Sequence, residues 1–538
     1  MNYFKDYESN NNINYSKLEK INEQFIINNN EIINNRCIIN DIVYYENNEI
    51  INIKERSKQK IVGIINMSSK TKFSYKNKNY YLFNPINKEY PKFYVSTKNK
   101  NNNKIYFLID FLDWPINSLY PYGNLIEILG SVGNLESEYK CLLYLNNIFS
   151  KSLKFDKKKT QNDENIINNI DKYDYKIFTI DPKNSKDLDD GFHYISNNNF
   201  KELGIHISNP SKLLINDIDK IIDKVSTIYL NENLNMIPKI YSENLCSLLE
   251  NTKKYCVSLI INFDNNNNII NYSFKESIVL IEKNYDYDEF DKKYKKNNKL
   301  IDIINITKKI FNQEDIDSHL FVEKWMIYYN KKIIEYFKSK SLIENLIIRS
   351  HKCRFFDDNI NDIELKKYLE IKNKNKAIYE LYDENTLDKT HSEMNNELYT
   401  HFTSPLRRSI DFLLNCYFNN NEKIFDKELL LDKINYINDY EKRIKKFYKI
   451  KNRFDFLYKN NKEEITTYGY IVEIKDHKMK IYLPEINLEE NYLLFNKKTE
   501  KISNVLFEKK DDVYKKINYY FDDKLINFSL HQKINCKL

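Results

Sequence analysis

Residues 178–195 read FTIDPKNSKDLDDGFHYI and place Asp181, Asp187, Asp189 and Asp190 within ten positions of a chain whose formal net charge is +7. Four carboxylates that converge raise one another's proton affinity, so such a stretch either stays in solvent or attracts positive charge. Its flanks say where it sits. "YKIFTI", with β-branched and aromatic residues, reads as a strand ending at Asp181, and "GFHYIS" and "ELGIHIS" read as a hairpin joined by "NNNFK". The carboxylates therefore occupy a loop between strands. Pro182 and Gly191 bracket that loop in a chain with only seven glycines, where average usage gives roughly 38. Residues that a composition disfavours mark places where the backbone demands them, because Pro fixes φ and Gly reaches positive φ cheaply.

Taken alone, the loop supports two readings. One is a solvated acidic turn, with Lys183 and Lys186 balancing half of its charge. The other is an oxygen-only ligand set, which selects magnesium or manganese over zinc and suits phosphoryl chemistry on a pair of ions. An EF-hand calcium loop fails by register: counted from Asp187, Gly191 is fifth and Asn198 twelfth, where that loop needs Gly at the sixth position and an acid at the twelfth.

With 538 residues, the chain is too long for one compact domain, and about three or four are expected. Hydrophobic residues at 41% and charged residues at 30% are globular values, and Asn- and Lys-rich runs such as "FDNNNNII" decorate loops. The first residues, "MNYFKDYESNNN", contain no basic start followed by an apolar run, and no stretch approaches the roughly 20 apolar residues of a membrane span. The expectation is a soluble intracellular protein, cytoplasmic or nuclear, with no membrane partner. Seven scattered cysteines without a C-x-x-C pair support neither a disulfide framework nor a zinc site. An excess of 84 Lys and Arg over 77 Asp and Glu suits a polyanionic partner without requiring one. Up to about residue 165 the pattern is of short strands ("RCIINDIVYY", "QKIVGII", "NYYLFNP", "KIYFLIDFLDW"), as in one or two small barrels. Later, "SHLFVEKWMIYYNKKIIEYF" places Leu320, Val322, Trp325, Tyr328 or Tyr329, and Ile333 at helical spacing, and a Lys- and Arg-rich helical region covers about 406–460. "TTYGYIVEIKDHKMKIYLPEINL" then reads as a hairpin turning at Lys475–Lys478.

A second motif, "YTHFTSPLRRSIDF", groups Tyr399, His401, Thr403, Ser404, Arg407, Arg408 and Asp411 around Pro405. Arginine forks bind phosphate bidentately, and aromatic and His faces stack on bases. By itself, the arginine pair is equally well read as the solvated start of a helix.

In this order and spacing the two motifs resemble the RNase II (RNB) family of 3′-to-5′ exoribonucleases. The family signature of Asp, five residues, Asp, one residue, Asp-Asp is matched by Asp181, Asp187, Asp189 and Asp190. Its later block, Y-T-H-F-T-S-P-I-R-R-Y-x-D, is matched at 399–411 with Leu406 for Ile and Ser409 for Tyr. "LGIHISNPS", "STIYL", "MIPKIYSENLCSL" and "FVEKWMIYYN" look like further family blocks in order. Upstream, "NRCIINDIV" and "KIVGII" look like the first cold-shock barrel of the eukaryotic exosome-associated branch, and "DWPINSLYPYGNLIEILGSVGNLESEYKCLLY" looks like the end of its second barrel and the linker. "YGYIVEIKDHKMKIYLPE" resembles the family's closing OB-fold.

The resemblance implies an α+β multidomain fold: a cold-shock-like OB barrel over 1–65, a second with its linker over 66–165, a mixed α/β RNB catalytic domain over 166–460 and a C-terminal OB-fold barrel over 461–538. It is the shorter form, without an N-terminal endonuclease domain. The implied activity is magnesium-dependent hydrolysis of single-stranded RNA to nucleoside 5′-monophosphates, with manganese as a substitute cation. Asp181, Asp187, Asp189 and Asp190 would be the metal ligands, and Asp189, Asp190, Arg407 and Arg408 the catalytic residues. Tyr229 would stack on the terminal base, and Tyr399, His401, Thr403 and Ser404 would contact RNA. The implied unit is a monomer, with subunits of an RNA-degradation complex as partners. Three departures stand out: Asn209 where many relatives have Asp, Ser409, and no counterpart of a late family Glu in "KKFYKIKNRFDFLYK". The alternative is an RNB-fold RNA-binding protein or scaffold with little activity, against which the intact aspartate set counts.

Overall fold

The computed structural model of the chain describes residues 15–537 except 22–23, 28–29, 32–35, 48, 67–72, 76–77, 100–103, 149–152, 198–199, 341–345, 352–359, 361, 374–376, 384–396, 421–423, 461–463, 476–477, 494–504, 511–512 and 522–523. Two units are distinguished, one of Met1–Ser150 with Arg443–Leu538 and one of Lys151–Lys442.

Strands dominate the first unit. Tyr15–Lys17, Ile42–Glu46 and Glu49–Glu55 form an antiparallel sheet, and a six-stranded sheet follows in which Ile105–Asp113 lies between Ile61–Ile65 and Tyr122–Ser131. Phe83, Phe93, Val95, Phe107 and Ile109 fill the core of that second sheet. Its member Ile61–Ile65 was expected to close the first barrel. It is instead an inner strand of the second sheet, paired along its edges with Ile105–Asp113 and with Lys78–Pro85, and a side chain at Gly63 would overlap the Asn84 carbonyl and the Phe83 ring. Thr466–Lys475 and Lys478–Leu483 form the expected hairpin, with Lys475 opposite Lys478.

The second unit is built on a closed barrel of five strands: β1 (Tyr175–Asp181), β2 (Asp190–Ser196), β3 (Lys201–Ser208), β4 (Lys253–Phe263) and β5 (Ile269–Asp286). Sequential neighbours run antiparallel, and parallel pairing of β1 with β5, from Tyr175 opposite Val279 to Asp181 opposite Asp286, completes the closure. The chain continues through α1 (Tyr287–Tyr294), α2 (Asn298–Phe311) and α3 (Ser318–Ser339). Asp286 and Asp317 cap α1 and α3 by accepting from Glu289 and Leu320 N–H. Helix α3 buries Phe321, Trp325, Tyr329 and Ile333. Val322, expected on that apolar face, lies one step round it with Met326 and Asn330, lining a cavity. Helix α4 (Ser409–Asn420) is buried along Ser409–Phe418, and α5 (Lys427–Lys459) follows it. Among the described residues no helix is long and apolar enough to cross a membrane.

A polar chain runs through the barrel. His193 Nδ1 lies 2.7 Å from His206 Nε2, His206 Nδ1 lies 2.6 Å from Ser258 Oγ, and His193 Nε2 lies 3.0 Å from Glu202. Gly204 makes room, since a β-carbon there would collide with both imidazoles. Burial first, and then His193 and Lys275, hold the His206 pKa well below 6.5. The unfolded chain therefore takes up the proton that the native state refuses, and stability falls as pH drops below about 6.5. In urea unfolding, the stability deficit of His206→Gln relative to wild type is expected to shrink by about 1 kcal/mol between pH 7.5 and 5.5; a gap that does not change with pH would refute this account of the histidine pair.

Candidate active site

The acidic loop leaves the barrel at Asp181, the last residue of β1, and rejoins it at Asp190, the first of β2. Asn184, at φ 67°, supplies the left-handed residue of the turn. Gly191 has no positive φ; it is needed for close approach, because a β-carbon there would stand 2.7 Å from Ile177 Cδ1 and 3.0 Å from the Phe178 carbonyl. Leu188 anchors the loop by packing into the barrel core with Ile177, Leu248, Val279 and Ile281, a burial that contributes about 2 kcal/mol. On either side of this anchor, Asp187 and Asp189 line the cavity.

The arginine motif meets the loop directly. Asp189 Oδ1 accepts from Leu406 N–H at 2.9 Å, and Asp189 Oδ2 lies 3.0 Å from Arg407 Nε. Arg407 donates to Ser404 Oγ at 3.1 Å, and its side chain stays 44% exposed. Arg408 does something else. It donates to Asp411 Oδ1 at 2.7 Å, and the same oxygen accepts from Ser404 N–H at 2.8 Å, so this pair builds the turn. Residues 225–229 run beside the arginines: Thr227 N–H donates to the Arg407 carbonyl at 3.0 Å and Ser409 N–H to the Val225 carbonyl at 2.8 Å. That pairing brings Tyr229 to the loop, where its phenol donates to Asp187 Oδ2 at 2.5 Å.

Asp181, Asp187, Asp189, Asp190, Tyr229, Tyr399, Thr403, Ser404, Arg407 and Arg408 all line one cavity of about 1160 Å3. His401 is not among its lining residues. Its Nδ1 lies 2.7 Å from Tyr379 Oη, and its ring sits edge-on to both Tyr379 and Tyr399. Sequence reasoning passed over Tyr287, Glu323 and Asn330, which also line the cavity. Asn330 is the clamp of this wall: it donates to Tyr399 Oη at 3.0 Å and Thr403 Oγ1 at 3.4 Å and accepts from Phe402 N–H at 2.8 Å. The signal was present, since Glu323, Met326 and Asn330 recur at helical spacing beside the apolar stripe of α3.

Charge is only partly compensated here. The Oδ2 atoms of Asp181, Asp189 and Asp190 are buried without a hydrogen-bond partner, that of Asp189 lying near Arg407 but outside hydrogen-bond geometry. Burial pushes Asp181 up to about 6, with Asp187 adding to it and Thr179 and Arg407 opposing. Burial also pushes Asp189 up to about 7 against the pull of Arg407 and the Leu406 N–H. Asp190 is raised well above the ordinary carboxylate range by burial and then by Asp181 and Asp189. Orphaned hard oxygens in this number suit a divalent cation such as magnesium. They share a wall rather than a point. Among the described residues, no three His, Cys, Asp or Glu side chains have the mutual spacing of a finished metal cage, because Asp187 faces Tyr229 and Asp189 faces Arg407.

The departures from the family pattern have structural counterparts. Asn209 pairs with Asn419, the two amides bonding reciprocally at 3.0 and 2.7 Å. The Ser409 hydroxyl is buried without a hydrogen-bond partner. In α5, Glu441 lies 3.6 Å from Arg349 and is not among the cavity residues.

A model of the RNB domain matches residues 169–310, and a model of the Dis3-like cold-shock domain 2 (CSD2) matches residues 80–147. The exosome complex exonuclease RRP44 of Homo sapiens is 23% identical over 576 residues, covering 88% of this chain and 58% of the relative. The chain thus spans less than two thirds of the length of the curated relatives it first matches. Among solved structures, apo RNase R of Mycoplasma genitalium superposes with a TM-score of 0.71 at 17% identity, covering 97% of this chain and 98% of that one. That RNase R has also been solved in complex with ribose-methylated single-stranded RNA. Yeast Ssd1, described as a pseudonuclease, superposes with a TM-score of 0.61 at 15% identity, covering 88% of this chain and 69% of that one. The matched RNB domain thus takes in the five-stranded barrel and the acidic loop, and the chain is similar in sequence to RRP44 and in fold to RNase R.

Proposed function

We propose that the chain is a magnesium-dependent, hydrolytic 3′-to-5′ exoribonuclease that degrades single-stranded RNA to nucleoside 5′-monophosphates. The observation that carries this reading is the set of three buried carboxylate oxygens without hydrogen-bond partners beside a half-exposed arginine, on the wall of a cavity of about 1160 Å3. Asp181, Asp187, Asp189 and Asp190 would hold the cation, with manganese as a substitute. When bound, such a cation polarises a phosphodiester and makes a water nucleophilic near neutral pH.

The chain's own residues supply the rest. Arg407 presents its guanidinium to the phosphate and stabilises charge that grows on it. Arg408, engaged by Asp411, holds the turn from which Arg407 projects. Tyr229, 40% exposed at the cavity, offers a ring face for a base, and Tyr399, Thr403 and Ser404 add polar groups to the same cavity. Subunits of an RNA-degradation complex are the protein partners we propose, by analogy with RRP44.

A second reading, an RNB-fold RNA-binding protein without cleavage, is favoured by the likeness to Ssd1 and by carboxylates that do not form a finished cage. The four aspartates and Arg407 speak against it.

A 5′-labelled single-stranded oligoribonucleotide separates the two. Magnesium is expected to give progressive shortening from the 3′ end, and chelator to stop it. Asp189→Asn should abolish cleavage and leave RNA binding in place, and Arg407→Ala should slow cleavage about 100- to 1000-fold. Binding without cleavage by the wild-type protein would establish the second reading.

Stability supplies an independent check. A buried carboxylate with a raised pKa destabilises the fold while ionised; the cost is fully present above about pH 7 for Asp189 and about pH 6 for Asp181, and declines from there as pH falls toward the unfolded carboxylate range of about 4. In chelator at pH 7.5, Asp190→Asn is therefore expected to raise Tm by about 2–4 °C, and magnesium to raise the wild-type Tm more than that of the variant. A variant less stable than wild type in chelator would contradict this electrostatic picture.

A further inference from the structure

We infer that Ser247 is a positioning residue for Asp187, setting the affinity of the acidic loop for its cation from outside the cavity. The inference rests on the proposal above that the aspartates bind a divalent cation. The side chain of Asp187 accepts from Tyr229, but its backbone, unlike those of the other three aspartates, is not fixed by the barrel strands. Asp181 ends β1 and Asp190 begins β2, while Asp189 gives its carbonyl to Ser208 N–H at 2.8 Å and its side chain to Leu406 N–H at 2.9 Å. Asp187 lies on the irregular part of the loop, where neither neighbouring residue belongs to a strand.

Its backbone is held from one place. The Ser247 hydroxyl accepts from Leu188 N–H at 3.0 Å and donates to the Lys186 carbonyl at 2.7 Å, so a single oxygen spans Asp187. Leu248 N–H completes the attachment, donating to the Leu188 carbonyl at 3.1 Å. Ser247 is fully buried and is not among the cavity residues. The turn that carries it is itself fastened: buried Lys254 donates to the carbonyls of Asn244 at 2.6 Å and Leu245 at 3.1 Å, and Ser208 Oγ donates to the Cys246 carbonyl at 2.6 Å. A hydroxyl that both accepts and donates is the one small group able to satisfy an N–H and a C=O two residues apart. Groups that orient ligands from behind commonly set metal affinity by tenfold or more.

Calorimetric titration of the RNA-free protein with Mn2+ tests this, comparing wild type, Ser247→Ala, Asp187→Asn and the double variant. Ser247→Ala is expected to weaken Mn2+ binding about tenfold and to speed hydrogen exchange of the Leu188 amide. Added to Asp187→Asn, it should weaken binding no further, because the residue through which it acts is already lost. Should Ser247→Ala fail to unfold cooperatively, Ser247→Cys, which keeps a group in the hydroxyl's place but bonds weakly, carries the same comparison. Wild-type affinity in the serine variant, or additive losses in the double variant, would overturn the inference while leaving the cation proposal intact. A wild-type protein that takes up no Mn2+ would overturn both.

Discussion

The second unit is organised around the burial of carboxylates at one end of a β-barrel. Asp189 is 2% exposed, and an ionised carboxylate removed from water to that extent costs several kcal/mol unless it is paired and hydrogen-bonded. Its compensation comes from far along the chain, since Leu406 and Arg407 follow it by more than two hundred residues. Much of the surrounding architecture keeps that meeting in register. Asn330 of α3 fastens Tyr399, Phe402 and Thr403, Asp411 fastens Ser404 and Arg408, and the backbone of 225–229 runs along the arginines.

The two adjacent arginines illustrate how one charge type serves two purposes. Arg408 finds its carboxylate three residues on, within the first turn of α4, and both partners serve the loop's shape. Arg407 reaches across to another part of the chain and keeps nearly half of its side chain accessible. The same division runs through the aspartates. Asp411 stabilises a turn through its Oδ1, while Asp181, Asp189 and Asp190 line the cavity; each of the four keeps a buried Oδ2 unsatisfied by the polypeptide, but only the last three do so on the cavity wall. Buried polar atoms left in that condition point to something that arrives from outside.

Where the sequence had a clear period, it was readable. Strand, acidic loop and hairpin over 175–208 follow from alternation and turn residues, and the helix over 318–339 follows from three- and four-residue spacing. Ile61–Ile65 has no alternation to read, because both of its faces are covered, and its sheet is set by partners that a local pattern does not name. Within "YTHFTSPLRRSIDF", linear order does not say which side chains turn to the cavity. His401 finds the Tyr379 phenol instead, and that partner lies on a separate strand, Ile378–Leu381. Glu323 and Asn330 were hidden for a related reason, since an amphipathic stripe draws attention to its apolar residues and away from the polar strip that adjoins it. Gly191 was rightly marked as a constrained position, though the constraint is contact with Ile177 and the Phe178 carbonyl rather than handedness.

The distance between the acidic loop and its arginine also has a meaning in time. The barrel is complete in covalent terms once β5 has been made at Asp286, whereas the guanidinium that answers its carboxylates belongs to Arg407. At roughly 5–20 residues per second, a ribosome needs several seconds or more to bridge that gap, and during the interval the nascent barrel carries an acidic mouth without the guanidinium that pairs with Asp189. A barrel closed before Arg407 is made would bury Asp189 without its ion pair, a cost that the arginine turn reduces once it docks.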